Sequence, residues 1–190
     1  PRARRSSCRY HDQASRVKNS HATRCLLSIE KSKQINFYSL AGYFSLFSGL
    51  ATEKQATSII FKLNIFEKEG GLACTEIKGM AEGIQWGYPN GWAPLHFIVT
   101  EGLLCYGFKE DTDRIRRKWL MNCSLNFMRN QNWDEKISVD FTYQKIDDIR
   151  YPHQKITSWT IFLFKYFYEE LLIENPIIIS SKKSNLDLKK

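Results

Sequence analysis

Residues 85–95 read QWGYPNGWAPL, and the fold is decided by what flanks this stretch. Two tryptophans, two prolines and two glycines fall within it without helical or strand periodicity, so it reads as a shaped loop. Pro94 suits the first turn of a following helix, where its missing N–H costs little. Leu95, Ile98, Val99, Gly102, Leu103 and Tyr106 then recur at helical spacing, and Gly107 supplies the stop. A second helix is expected over about 111–129, with acidic residues in its first turn. Ile115, Trp119, Leu120, Cys123 and Phe127 form its buried face.

Upstream, Leu40, Tyr43, Phe44, Phe47 and Leu50 predict a helix from Ser39. Thr52 opens another, with Gln55 three residues on as its capping-box partner. Ala56, Ile59, Ile60 and Leu63 make its apolar stripe, and Gly70-Gly71 closes the region. Residues 72–91 and 130–152 read as loops, and a last helix is expected over about 157–173. The sum is an all-α fold of about five helices arranged as helical hairpins. Hairpin turns and regularly spaced strands are missing from the pattern.

The chain has 190 residues and a net charge of +8, which at first sight suggests nucleic acid. The distribution argues otherwise. Residues 1–33 hold nine Lys/Arg against two acidic residues, whereas the other 157 residues carry 19 basic and 18 acidic side chains. We therefore expect a basic, disordered extension over 1–35, a helical body over 36–175 and a polar basic tail over 176–190, with no nucleic-acid partner. Residues 161–179, the most apolar stretch, are broken by Lys165, Glu169, Glu170 and Glu174, too many charges for a bilayer helix. No signal-peptide pattern is visible. Five cysteines without C-x-x-C spacing support neither a zinc site nor a disulfide framework, and Cys105 and Cys123 read as buried thiols. His96 and His153 stand apart, as packing or surface histidines rather than ligands, so no metal or cofactor is expected.

The loop and its surroundings resemble the trehalase family. Its signature Q-W-D-x-P-x-G-W-x-P is matched by Gln85, Trp86, Pro89, Gly91, Trp92 and Pro94, with Gly87 in place of Asp. FSLFSGLAT at 44–52, GGLACTE at 70–76 and HFIVTEGLLCYG at 96–107 look like further family segments, and Glu135-Lys136 falls at the family's E-K-Y element. The resemblance implies an (α/α)6 toroid of twelve main helices, of which this chain would supply an incomplete part. Inner helices lacking their neighbours would expose apolar faces and favour self-association.

The implied activity is inverting hydrolysis of α,α-trehalose to two glucose molecules. Inversion needs a general acid and a general base about 6.5–9.5 Å apart, with water between base and sugar. Glu135 matches the family's base, although a lone carboxylate between helices is more often a solvated surface charge. The family's acid lies far upstream of the signature, and nothing in residues 1–35 resembles its surroundings. Trp86, Asn90, Arg150 and Trp159 are the implied substrate contacts. Indole faces suit the C–H faces of a pyranose, and the Asn amide offers both a donor and an acceptor. Taken alone, Trp86 and Trp92 would read as core aromatics, and Trp92 is expected to anchor the loop. Arg150 stands where the family has a substrate-contacting Glu, and the glycines that follow the family's base are missing. We therefore expect a truncated, inactive fragment of a trehalase-family glycoside hydrolase. The alternative is a non-catalytic, degenerate helical relative acting through binding or protein interaction.

Overall fold

The computed structural model describes residues 27–28, 33–34, 37–77, 85–142, 154–155 and 157–174. Two-residue strands β1 (Leu27–Ser28) and β2 (Lys33–Gln34) pair antiparallel within the segment read as an unstructured head. A 3-10 turn, Leu40–Tyr43, leads into α1 (Phe44–Phe47), followed by α2 (Glu53–Ile60) and α3 (Leu63–Phe66). Strands β3 (Glu67–Lys68) and β4 (Gly71–Leu72) form a tight antiparallel pair. Then come β5 (Asn90–Trp92), α4 (Ala93–Cys105), α5 (Lys109–Asn130), β6 (Lys136–Ser138) and α6 (Ser158–Glu174).

The helical character agrees with the sequence reading, and Pro94 and Gly107 bracket α4 as expected. Gly107 has φ 81°, a left-handed conformation that glycine adopts without Cβ strain. The short ladders escaped the reading, because segments of two or three residues are too brief to show alternation. The first helical stretch also differs. Leu40, Tyr43 and Leu46 are buried, whereas Phe44, Phe47 and Leu50 are exposed. The stretch begins as a 3-10 turn, in which side chains three apart line up, so the buried row follows a period of three rather than 3.6. The stripe through Leu63 is likewise split, since the chain turns at Phe61-Lys62 before α3.

Helix α4 lies at the centre, packed against α1, α5 and α6. Gly102 permits the α1 contact: a Cβ there would come within 2.9 Å of the Phe47 backbone N and the Leu46 Cβ. One apolar core joins the 3-10 turn, α1, α2 and α3 to α4 and α5 through Tyr43, Leu46, Ile59, Phe66, Val99 and Ile115. A second lies under the 85–92 loop, with Tyr88, Trp119, Ile137, Val139, Leu163 and Phe167. Cys123 is a buried free thiol, whereas Cys105, at the end of α4, is half-buried and disulfide-bonded. No described helix is long and apolar enough to cross a membrane.

The capping box at α2 is present in both directions. The Gln55 N–H donates to Thr52 Oγ1 at 3.3 Å, and the Thr52 N–H donates to Gln55 Oε1 at 2.8 Å. Thr52→Ala removes one of these bonds, and equilibrium urea unfolding should register a loss of about 1 kcal/mol. An unchanged midpoint would mean that the α2 start is already frayed in solution.

Candidate functional site

The 85–92 loop is shaped by a bond within it and by bonds to two separate parts of the chain, 74–75 and 139–140. The Asn90 N–H closes a turn onto the Gly87 carbonyl at 2.9 Å, and the Tyr88-Pro89 peptide is cis. The Tyr88 N–H donates to Thr75 Oγ1 at 3.0 Å, and its hydroxyl donates to the Asp140 carboxylate. The Cys74 N–H donates to the Asn90 carbonyl, and the Val139 N–H to the Pro89 carbonyl, both at 3.0 Å. Burial alone would raise the Asp140 carboxyl. Hydrogen bonds from Thr142 and Tyr88 outweigh it and hold the group below its ordinary value.

Beyond the loop, β5 pairs antiparallel with β6, setting Asn90 opposite Ser138, Gly91 opposite Ile137 and Trp92 opposite Lys136. Glu135 therefore sits one residue before the partner of Trp92. Its segment is pinned from both sides. Asn126 and Asn130, at the end of α5, donate to Asp134 Oδ2 at 2.8 and 3.2 Å. Thr160, in α6, donates through Oγ1 to the Asp134 carbonyl at 2.9 Å, and the Glu135 N–H bonds the Gln154 carbonyl at 3.1 Å. Glu135 is only 9% exposed, yet among the described residues its carboxylate has no hydrogen-bond or ion-pair partner.

The aromatic residues collect around Trp92, which is 1% exposed. Trp86 stacks on it with centroids 3.9 Å apart and planes 11° from parallel, while remaining 47% exposed. Trp159, 40% exposed, meets it edge-on at 5.8 Å. The Trp92 indole N–H donates to the Gln85 carbonyl at 3.0 Å, and Asn90 Nδ2 reaches the same oxygen at 3.3 Å. The structure thus gathers Trp86, Asn90 and Trp159 about one buried indole, and Glu135 stands next to Lys136, the strand partner of Trp92. Arg150 lies outside the described residues.

Several residues of this arrangement escaped the sequence reading. Asp140 and Thr75 hold Tyr88 in place, but a lone Asp or Thr in a loop carries no local signal. His96, read as a packing histidine, is fully buried. It accepts from the Leu72 N–H at Nε2, 2.8 Å, and Nδ1 lies 2.9 Å from the Trp92 carbonyl. Since Nε2 is an acceptor, Nδ1 carries the proton and donates to Trp92. Burial depresses its pKa to about 4, against the raising effect of that bond. Among the described residues, no group of three or more His, Cys, Asp or Glu side chains is placed to hold a metal ion.

The fold defines the class. The structure resembles neutral trehalase Nth1 from Saccharomyces cerevisiae with a TM-score of 0.65 and 26% identity, over 75% of this chain and 25% of that one. It also resembles a GH63 mannosylglycerate hydrolase from Thermus thermophilus, with TM-score 0.54 and 17% identity over 72% of this chain and 33% of that one, a likeness of fold alone. Both are helical glycoside hydrolases. A family profile described as trehalase matches residues 27–161, and this chain belongs to the trehalase family. It is 39% identical over 103 residues to the cytosolic neutral trehalase of Beauveria bassiana, covering 50% of this chain and 14% of that protein. It is 33% identical over 132 residues to the periplasmic trehalase of Citrobacter koseri, covering 68% of this chain and 23% of that protein. The chain thus spans less than a quarter of the length of these two relatives.

Proposed function

We propose that this chain supplies the sugar platform and the general-base side of a site that hydrolyses α,α-trehalose with inversion. The observation that carries the reading is Glu135: a carboxylate mostly shielded from solvent, unpartnered among the described residues and next in the chain to Lys136, which pairs with the Trp92 of the Trp86–Trp92–Trp159 cluster. A shielded carboxylate with free lone pairs can take a proton from water as that water attacks the anomeric carbon. The outer face of Trp86 receives a pyranose C–H face. Asn90 and Trp159 border it, and Arg150 joins them as a substrate contact by its place in the sequence.

Neither Asp134 nor Asp140 offers a free acid half for an inverting pair. Asp134 is engaged by Asn126 and Asn130, and Asp140 by Tyr88 and Thr142. That observation favours a second reading, in which the chain binds trehalose without cleaving it.

Titrating trehalose into the chain with labelled indole nitrogens tests both readings. The Trp86 and Trp159 signals should shift together, and Trp86→Ala should weaken binding by at least about tenfold, about 1.4 kcal/mol. Glucose release by the native chain that drops by about 10²–10⁴-fold in Glu135→Gln would establish the base role. Binding without release in either form supports the second reading. No shift at Trp86 on saturation rules out both.

A further inference from the structure

We propose that His96 is the positioning residue for the Trp86–Trp92 stack, acting through the Trp92 carbonyl. The inference rests on the reading of Trp86 as the sugar platform, but its structural content stands on the geometry around the ring. His96 joins two segments that no regular element connects. Its Nε2 takes the Leu72 N–H, at the end of β4, and its Nδ1–H holds the Trp92 carbonyl, at the end of β5.

Space for the ring is made by two glycines. A Cβ on Gly71 would fall 2.5 Å from His96 Nε2, and one on Gly91 would fall 3.2 Å from His96 Cε1 and 2.4 Å from Val139 Cγ1. Gly71 has φ 131°, so a side chain there would also strain the backbone. From below, the imidazole lies on Trp119 with centroids 3.9 Å apart. The ring is therefore clamped on its face and at both nitrogens, in a single orientation.

The path from His96 to the open face of Trp86 is short. The Nδ1–H bond ties down the Trp92 carbonyl at the end of the β5–β6 pairing, and with it the Cα from which the Trp92 indole extends. The Trp92 indole then fixes two things: the Gln85 carbonyl, bound by its N–H at 3.0 Å, and the Trp86 ring stacked on it at 3.9 Å.

The test reads the stack rather than stability. Two indoles this close give an exciton couplet in circular dichroism, assigned by its loss in Trp86→Phe. His96→Phe keeps a ring on Trp119 but removes both polar ties. His96→Gln restores a donor and an acceptor spaced much like the two ring nitrogens. With helical signal retained, the couplet should vanish in His96→Phe and persist in His96→Gln. An unchanged couplet in folded His96→Phe overturns the proposal. Should His96→Phe not fold, His96→Gln decides alone, and loss of its couplet while the helices remain also overturns it. Trehalose titration of the same variants keeps the two readings apart. If the native chain shows the couplet but no sugar response, the platform reading fails and the positioning of the stack by His96 stands.

Discussion

Arg116→Met should destabilise the chain by about 3–5 kcal/mol in equilibrium urea unfolding, although the two side chains are similar in length and the site lies away from the loop. Arg116 sits on α5 and is fully buried. Its Nη2 donates to Glu101 Oε1 of α4 at 3.0 Å, and Nη1 lies 3.9 Å from Glu170 Oε2 of α6. The guanidinium also lies 5.9 Å from the Tyr166 ring centroid and 5.4 Å from that of Phe167. Among the described residues Nε and Nη1 have no hydrogen-bond partner, and the cation is held there by one good bond, one longer-range attraction and two aromatic rings. Removing it takes the buried cation away from the Glu101 and Glu170 carboxylates, which costs far more than the lost packing.

Tyr166 reports the same surplus of negative charge. Burial, and then the Glu101 and Glu170 carboxylates, push its hydroxyl up to about 12. Adding Glu101→Gln and Glu170→Gln to Arg116→Met should recover most of the loss, because the two carboxylates that the cation faced are then neutral as well. A single-variant loss below about 1 kcal/mol would mean that water reaches the cluster and the three helices are not locked through it.

The second large effect is on acid stability. His96 is neutral in the folded chain with a pKa near 4, against 6.5 when free. Between these values the unfolded chain binds a proton that the folded chain refuses, so stability falls as pH drops through 6.5 towards 4. At about 1.4 kcal/mol per unit, the cost reaches roughly 3 kcal/mol at the lower end. Glu67 and Asp140 have depressed values as well. For Glu67, burial opposes the shift, but hydrogen bonds from Arg114 and Lys118 win. Their contributions are present above the free carboxylate range and are lost only below about 4.5. Among the described residues, the interval from pH 6.5 to 5 therefore isolates His96. Urea midpoints should decline across it in the native chain and stay nearly level in His96→Gln. Parallel slopes in the two proteins would mean that the imidazole is not buried in its neutral form.

What could be read from the residues is what chemistry conveys over one or two turns of chain. Pro94 and Gly107 bound α4, Thr52 and Gln55 cap α2, and the apolar row Ile115, Trp119 and Cys123 marks the inner side of α5. The family is legible for the same reason, since its signature is contiguous. The pairing of Asn90–Trp92 with Lys136–Ser138 belongs to the tertiary structure alone. Its register depends on a distant strand, and no window of sequence contains both partners. Once formed, it brings Glu135 to Trp92, and burial then assigns different tasks to like residues. Trp92 is buried and Trp86 keeps an open face, as the resemblance implied, and His96 becomes a neutral bridge as well as a packing ring. Arg116 shows the limit most plainly. By sequence it is one charge among several on a polar helix, and only the docking of α4 and α6 removes it from water, which turns a solvated surface cation into a buried one that its neighbours must balance.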